Sequence, residues 1–99
     1  MRDHLEVLAD WSDELAARLG RPVAEIRARG LSAHDFIPGR SVRLNFGDGS
    51  HAEFRHAFAC VRREAARVAV FTEHCGYLEF ALTPQAEVIE THEHVYRQA

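Results

Sequence analysis

The sequence predicts an α+β fold: an N-terminal helix and a short second helix packed on a four- to five-stranded antiparallel meander. Three observations predict it. Apolar residues recur at helical spacing through the first 30 positions. From Ser41 onward they alternate with a period of two. Two glycine-closed turns, Gly47-Asp48-Gly49 and His74-Cys75-Gly76, separate alternating runs as hairpin turns do. An SH3-like small barrel is the alternative arrangement of the same strands. With 99 residues the chain is read as one domain, with a helical part over 1–30 and an antiparallel sheet over 41–96.

Asp3 and Glu6 have the spacing of a helix-start pair, with Asp3 accepting from first-turn amides. Leu5, Leu8, Ser12, Leu15 and Leu19 follow at 3,4 spacing, flanked by Val7 and Trp11, which is read as a core anchor. Gly20 sits where a left-handed glycine stops such a helix. Pro22 suits the first turn of the shorter helix, which carries Val23 and Ile26 and stops at Gly30. Residues 31–40 read as a loop that delivers Phe36 and Ile37 to the core.

Val42, Leu44 and Phe46 form the apolar face of the first strand. Residues 51–61 make one long second strand, with Ala52, Phe54, His56, Phe58 and Cys60 on its inner face. Runs at 67–72 and 77–82 supply two more strands, and 86–96 a fifth. A three-residue turn with Gly49 left-handed sets Leu44 against Ala52, Val42 against Phe54, and Arg43 against Glu53. The same turn form at 74–76 sets Val70 against Phe80 and Thr72 against Leu78. A wider turn over 62–66 sets Phe58 against Val70 and Cys60 against Val68. All strands then share one apolar face. The opposite face gathers Ala57, Ala59, Ala69, Phe71 and Ala81 into a small-residue strip that needs a cover. The cover is a helix of the same chain, a second copy, or a partner protein, and these five are the candidate partner-binding residues.

Composition bounds the function. The chain is 46% hydrophobic and 27% charged, the balance of a folded domain. No apolar run reaches the ~20 residues of a membrane span. The N-terminus leads into a charged helix rather than an apolar signal core, so the expected location is cytoplasmic. All 12 basic residues are arginine, in keeping with a GC-rich genome. The net charge of −3 disfavours a nucleic-acid footprint. Acidic residues interleave the arginines at 18, 21, 27 and 29, which reads as a solvated helix surface.

The candidate chemistry lies on one predicted rim. If both hairpin turns share an end and the last strand pairs with the strand at 77–82, the rim holds Asp48, His51, Glu73, His74, Cys75, His92 and His94. Imidazole and thiolate suit zinc, so His74, Cys75, His92 and His94 are the candidate metal ligands. There is no C-x2-C pair and no H-E-x-x-H helix to strengthen that reading. Glu73-His74-Cys75 also places an imidazole beside a thiol at a turn, the raw material of a reactive cysteine. Cys60 lies about 20 Å of strand from Cys75, so no disulfide joins them and Cys60 is a core residue. His56 is read as a buried neutral histidine with Thr72 as its neighbour.

Two stretches resemble small proteins of GC-rich bacteria: Asp35-Phe36-x-Pro38-Gly39, continuing through Val42-Arg43-Leu44 to Asp48-Gly49-Ser50, and Phe71-Thr72-Glu73-His74-Cys75-Gly76-Tyr77. The resemblance covers about the C-terminal two thirds of the chain and implies no activity, ligand or cofactor. No catalytic motif and no cofactor loop stand in the sequence. The expected function is a small non-enzymatic protein-binding module, acting on a partner protein or a second copy of itself. The competing class is a zinc or reactive-thiol protein using His74 and Cys75.

Overall fold

Residues 2–92 are described by a computed structural model, and they form three helices, a single 3-10 turn and six strands. Asp3 caps α1 (His4–Asp10) by accepting from the Glu6 amide at 3.0 Å. The predicted long first helix breaks once, at Trp11, before α2 (Ser12–Leu19) begins. Ser12 marks the break: its hydroxyl donates back to the Ala9 carbonyl at 2.8 Å, a bond that competes with the helical ladder. Gly20 ends α2 with φ 67°, a left-handed residue where one was expected. After Pro22 comes α3 (Val23–Arg29). The apolar stripe lies slightly round from its predicted position. Val7, Leu8, Trp11, Leu15 and Ile26 are buried, whereas Leu5 is exposed. The 3-10 turn (Ala33–Asp35) then delivers Phe36 to the core and leaves Ile37 exposed.

The strands make two three-stranded antiparallel sheets rather than one continuous meander. One sheet has β1 (Arg40–Asn45) at its centre, between β2 (His51–Arg55) and β6 (Glu87–His92). The other has β4 (Arg67–Thr72) between β3 (Ala57–Arg62) and β5 (Tyr77–Ala81). The predicted second strand is thus two strands, and the residue between them is His56, at φ 51°. A left-handed residue inside an extended run bends it and turns the following side chains to the other face.

That bend corrects the register. The first hairpin is as expected, with Val42 opposite Phe54, Arg43 opposite Glu53 and Leu44 opposite Ala52. The second is displaced by one residue: Phe58 lies opposite Phe71 and Cys60 opposite Ala69, not Val70 and Val68. The turn between β3 and β4 holds residues 63–66, an even number, with Ala66 left-handed at φ 51°. In the third hairpin Val70 meets Leu78 rather than Phe80, a displacement of two that keeps the faces. Thr72 accounts for that longer turn. Its hydroxyl donates to the Gly76 carbonyl at 2.6 Å and accepts from the Cys75 amide at 2.8 Å.

Two cores result, one on each face of the β3-β4-β5 sheet. Phe58, Cys60, Ala69 and Phe71 pack under the helices against Trp11, Leu15, Ile26 and Phe36. Ala57, Ala59, Val68 and Val70 face the other sheet and meet Val42 and Leu44. Small alanines let the two sheets approach closely, while the phenylalanines fill the wider gap beneath the helices. The last strand pairs with β1, not with β5 as expected. No helix among the described residues is long and apolar enough to cross a membrane.

Candidate functional site

The predicted rim divides between the two ends of the sheets. The turn containing Asp48 lies beside the β5–β6 connection, where the Thr83 hydroxyl donates to the Phe46 carbonyl at 3.1 Å. Gly47 is needed there: a Cβ would stand 2.5 Å from Cβ of Gln85, and its φ is 84°. His51, opposite Asn45, belongs to that end too. The Glu73 to Gly76 turn lies at the opposite end, where the Glu73 amide donates to the His56 carbonyl at 3.0 Å. His92 also lies at this second end, opposite Arg40, with Nε2 3.2 Å from the Pro38 carbonyl oxygen.

The candidate metal ligands are placed as follows. His74 and Cys75 are exposed on the β4–β5 turn, and Nε2 of His74 is 3.6 Å from a Glu73 carboxylate oxygen. His92 ends β6 beside β1. His94 lies outside the described residues. Among the described residues no group of three or more His, Cys, Asp or Glu side chains is disposed to hold a metal ion. The two cysteines are unbridged. Burial pushes the Cys60 thiol up to about 12, which leaves it protonated and inert. Cys75 is exposed.

The candidate partner surface is divided by the register shift. Ala57 and Ala59 are buried between the sheets, and Ala69 and Phe71 beneath the helices. Only Ala81 of the five is exposed. The chain's own helices and second sheet supply the cover that the strip required.

A different feature occupies the His56 end. A cleft of about 260 Å³ opens between residues 38–41 on one wall and Glu53, Arg55 and His56 on the other. Its shape follows from the backbone. The chain enters β1 from Pro38 and Gly39, and it leaves β2 at the bend, so two strands diverge just where Ser41 and Arg55 pair. His56, expected in the core, is exposed on this cleft instead. Among the described residues strand β2 stands at the border of its sheet, with β1 on one side only.

Most arginines elsewhere in the described residues are paired with carboxylates. Arg62 holds Glu14 and Asp10, Arg67 and Arg2 hold Glu79, Arg18 holds Glu90, and Arg21 holds Asp35. These pairs also correct the reading of Arg18 and Arg21 as part of a merely solvated surface. Arg40 and Arg55, by contrast, have no carboxylate partner among the described residues. Glu53, the carboxylate in the lining, stands 3.7 Å from Arg43.

Sequence reasoning passed over this cleft, although one signal marks it. Arg55-His56 places two polar residues side by side in an otherwise alternating run, and four apolar residues follow in Ala57-Phe58-Ala59-Cys60. That break in period is where the strand bends. No family model, no curated protein and no solved structure matches the chain.

Proposed function

We propose that the chain is a small non-enzymatic protein-binding module, and that the cleft between residues 38–41 and Glu53, Arg55 and His56 is where its partner docks. The strand order supports an SH3-like small barrel with a helical layer on one side, since β6 returns to β1 and a bent strand is shared between the two sheets. A fold of this kind does not dictate a function, so the reading rests on the site. The observation that carries it is the coincidence of an open cleft, a border strand and two arginines without ion-pair partners among the described residues at one end of the sheets. A border strand offers unpaired amides and carbonyls to an extended segment. The module acts in the cytoplasm, where both thiols stay reduced.

Site-specific photocrosslinking tests the reading. A photoreactive side chain at position 38, in the cleft lining, is expected to capture a protein partner, and the same group at Glu64, on the β3–β4 turn, is not. Capture at position 64 alone, or at neither position, rejects the reading. Native mass spectrometry of protein purified without chelator separates the competing classes. A dimer mass identifies the partner as a second copy, and a bound zinc ion returns function to His74 and Cys75.

A further inference from the structure

We infer that the occupant of the cleft is an extended acidic protein segment whose carboxylates meet Arg40 and Arg55, an inference that rests on the binding-module reading above. Arg40 begins β1, Arg55 ends β2, and both line the cleft. A guanidinium fork matches a carboxylate in two parallel hydrogen bonds, and an arginine without a partner has that capacity in hand. Glu53, the acid in the lining, stands 3.7 Å from Arg43, and the lining carries two arginines against this one carboxylate. Glu73, whose amide donates to the His56 carbonyl, is also at this end, and its carboxylate lies 3.6 Å from Nε2 of His74.

The sign of the cleft is opposite to that of the molecule. A chain of net charge −3 carrying a cleft with two cations that have no carboxylate partner among the described residues repels acidic partners in general and attracts them at this place. The overall charge argues against a nucleic acid, which presents anions along its whole length. Among the described residues the lining also has no Phe, Tyr or Trp on which a base could stack. Three further arginines among the described residues lack a carboxylate: Arg27, which donates to the Ser12 hydroxyl, Arg29 on α3 and Arg63 on the β3–β4 turn; Arg29 and Arg63 do not line this cleft. The last two serve as controls.

The test is selection from an unbiased linear-peptide display library on three baits: the unaltered chain, the Arg40→Gln/Arg55→Gln variant and a Ser41→Trp variant that obstructs the cleft. Thermal melts confirm that each bait is folded. Acidic segments are expected to be enriched on the unaltered chain and lost on both variants. A labelled peptide of alternating Glu and Ser then loses at least about tenfold in affinity with Arg40→Gln/Arg55→Gln and keeps it with Arg29→Gln/Arg63→Gln. Its binding also weakens steeply between about 0.05 and 0.5 M salt, as the screening length shortens. Neutral or basic segments that Ser41→Trp removes overturn the acidic inference while leaving the binding-module reading intact. No enrichment over Ser41→Trp overturns both. A single-stranded oligonucleotide that binds through Arg40 and Arg55 more tightly than the acidic peptide also overturns the inference, in favour of nucleic acid.

Discussion

The indole Nε1 of Trp11 donates a 2.9 Å hydrogen bond to Oε2 of Glu79, joining the break between α1 and α2 to the central residue of β5. Trp11 is fully buried, and the Arg62 guanidinium lies 4.0 Å from its ring centroid. Glu79 also accepts from Arg2 and Arg67. The helical layer is thus fastened to the β3-β4-β5 sheet by a charged network around one aromatic ring. A buried donor that loses its acceptor costs more than the bond itself is worth.

Replacing Glu79 by Ala therefore costs about 1–3 kcal/mol, because it strands the Trp11 N–H and removes one of the carboxylates beside Arg67. Glu79→Gln keeps an acceptor for the indole and is expected to cost less. Urea unfolding of the two variants measures both. Equal losses would show that charge, rather than the indole bond, is what Glu79 contributes.

Acid weakens the same network. Hydrogen bonding from Arg2, and then from Arg62, holds the Asp10 carboxyl below its usual range, and Arg62 does the same for Glu14. Burial pushes Glu79 up, but Arg2, Trp11 and Arg67 outweigh it and its net shift is downward. Each of these groups titrates lower in the folded chain than in the unfolded one. Their stabilisation is complete above the unfolded carboxyl range of about 4 and is lost as the pH falls through the folded values. The melting temperature is expected to hold from about pH 7 to 5.5 and to drop below about pH 4.5. An Arg62→Leu variant should show a shallower acid decline, and an unchanged decline would place the acid sensitivity elsewhere.

The two thiols divide by burial. Cys75 is expected to react with a disulfide reagent in the native protein, and Cys60 only after unfolding, since burial keeps its thiol protonated. The Cys75→Ser variant then shows no native reactivity. Rapid modification of both cysteines in the folded chain would contradict the packing of Cys60 against Phe58 and Phe71.

The backbone at His56 gives a conformational test. A left-handed φ of 51° suits glycine and is tolerated by histidine far better than by a β-branched residue. His56→Val is expected to cost about 1–3 kcal/mol, and His56→Gly to stay within about 1 kcal/mol of the parent. Denaturant midpoints read both. A tolerated valine would mean that the bend is not held at this residue.

Local chemistry determined much of the chain without tertiary help. Asp3, Gly20, Pro22 and Gly30 mark helix ends because caps and left-handed stops depend on neighbours a few residues away. The first hairpin is legible because Gly47 and Gly49 admit few turn forms, and only one pairs Leu44 with Ala52. Three matters were decided by tertiary structure. Residues 63–66 form an even turn, a choice their composition leaves open, and a single residue of register exchanges the two faces of β3. The bend at His56 exchanges those faces again relative to β2, so Ala57 and Ala59 line the inter-sheet core while Phe58 and Cys60 meet the helices. The partner of β6 was the third, since an alternating strand looks the same whichever border it joins, and only the bent second strand brings β1 within its reach. The cleft at Arg40 and Arg55 follows from that bend, which is why it has no motif in the sequence.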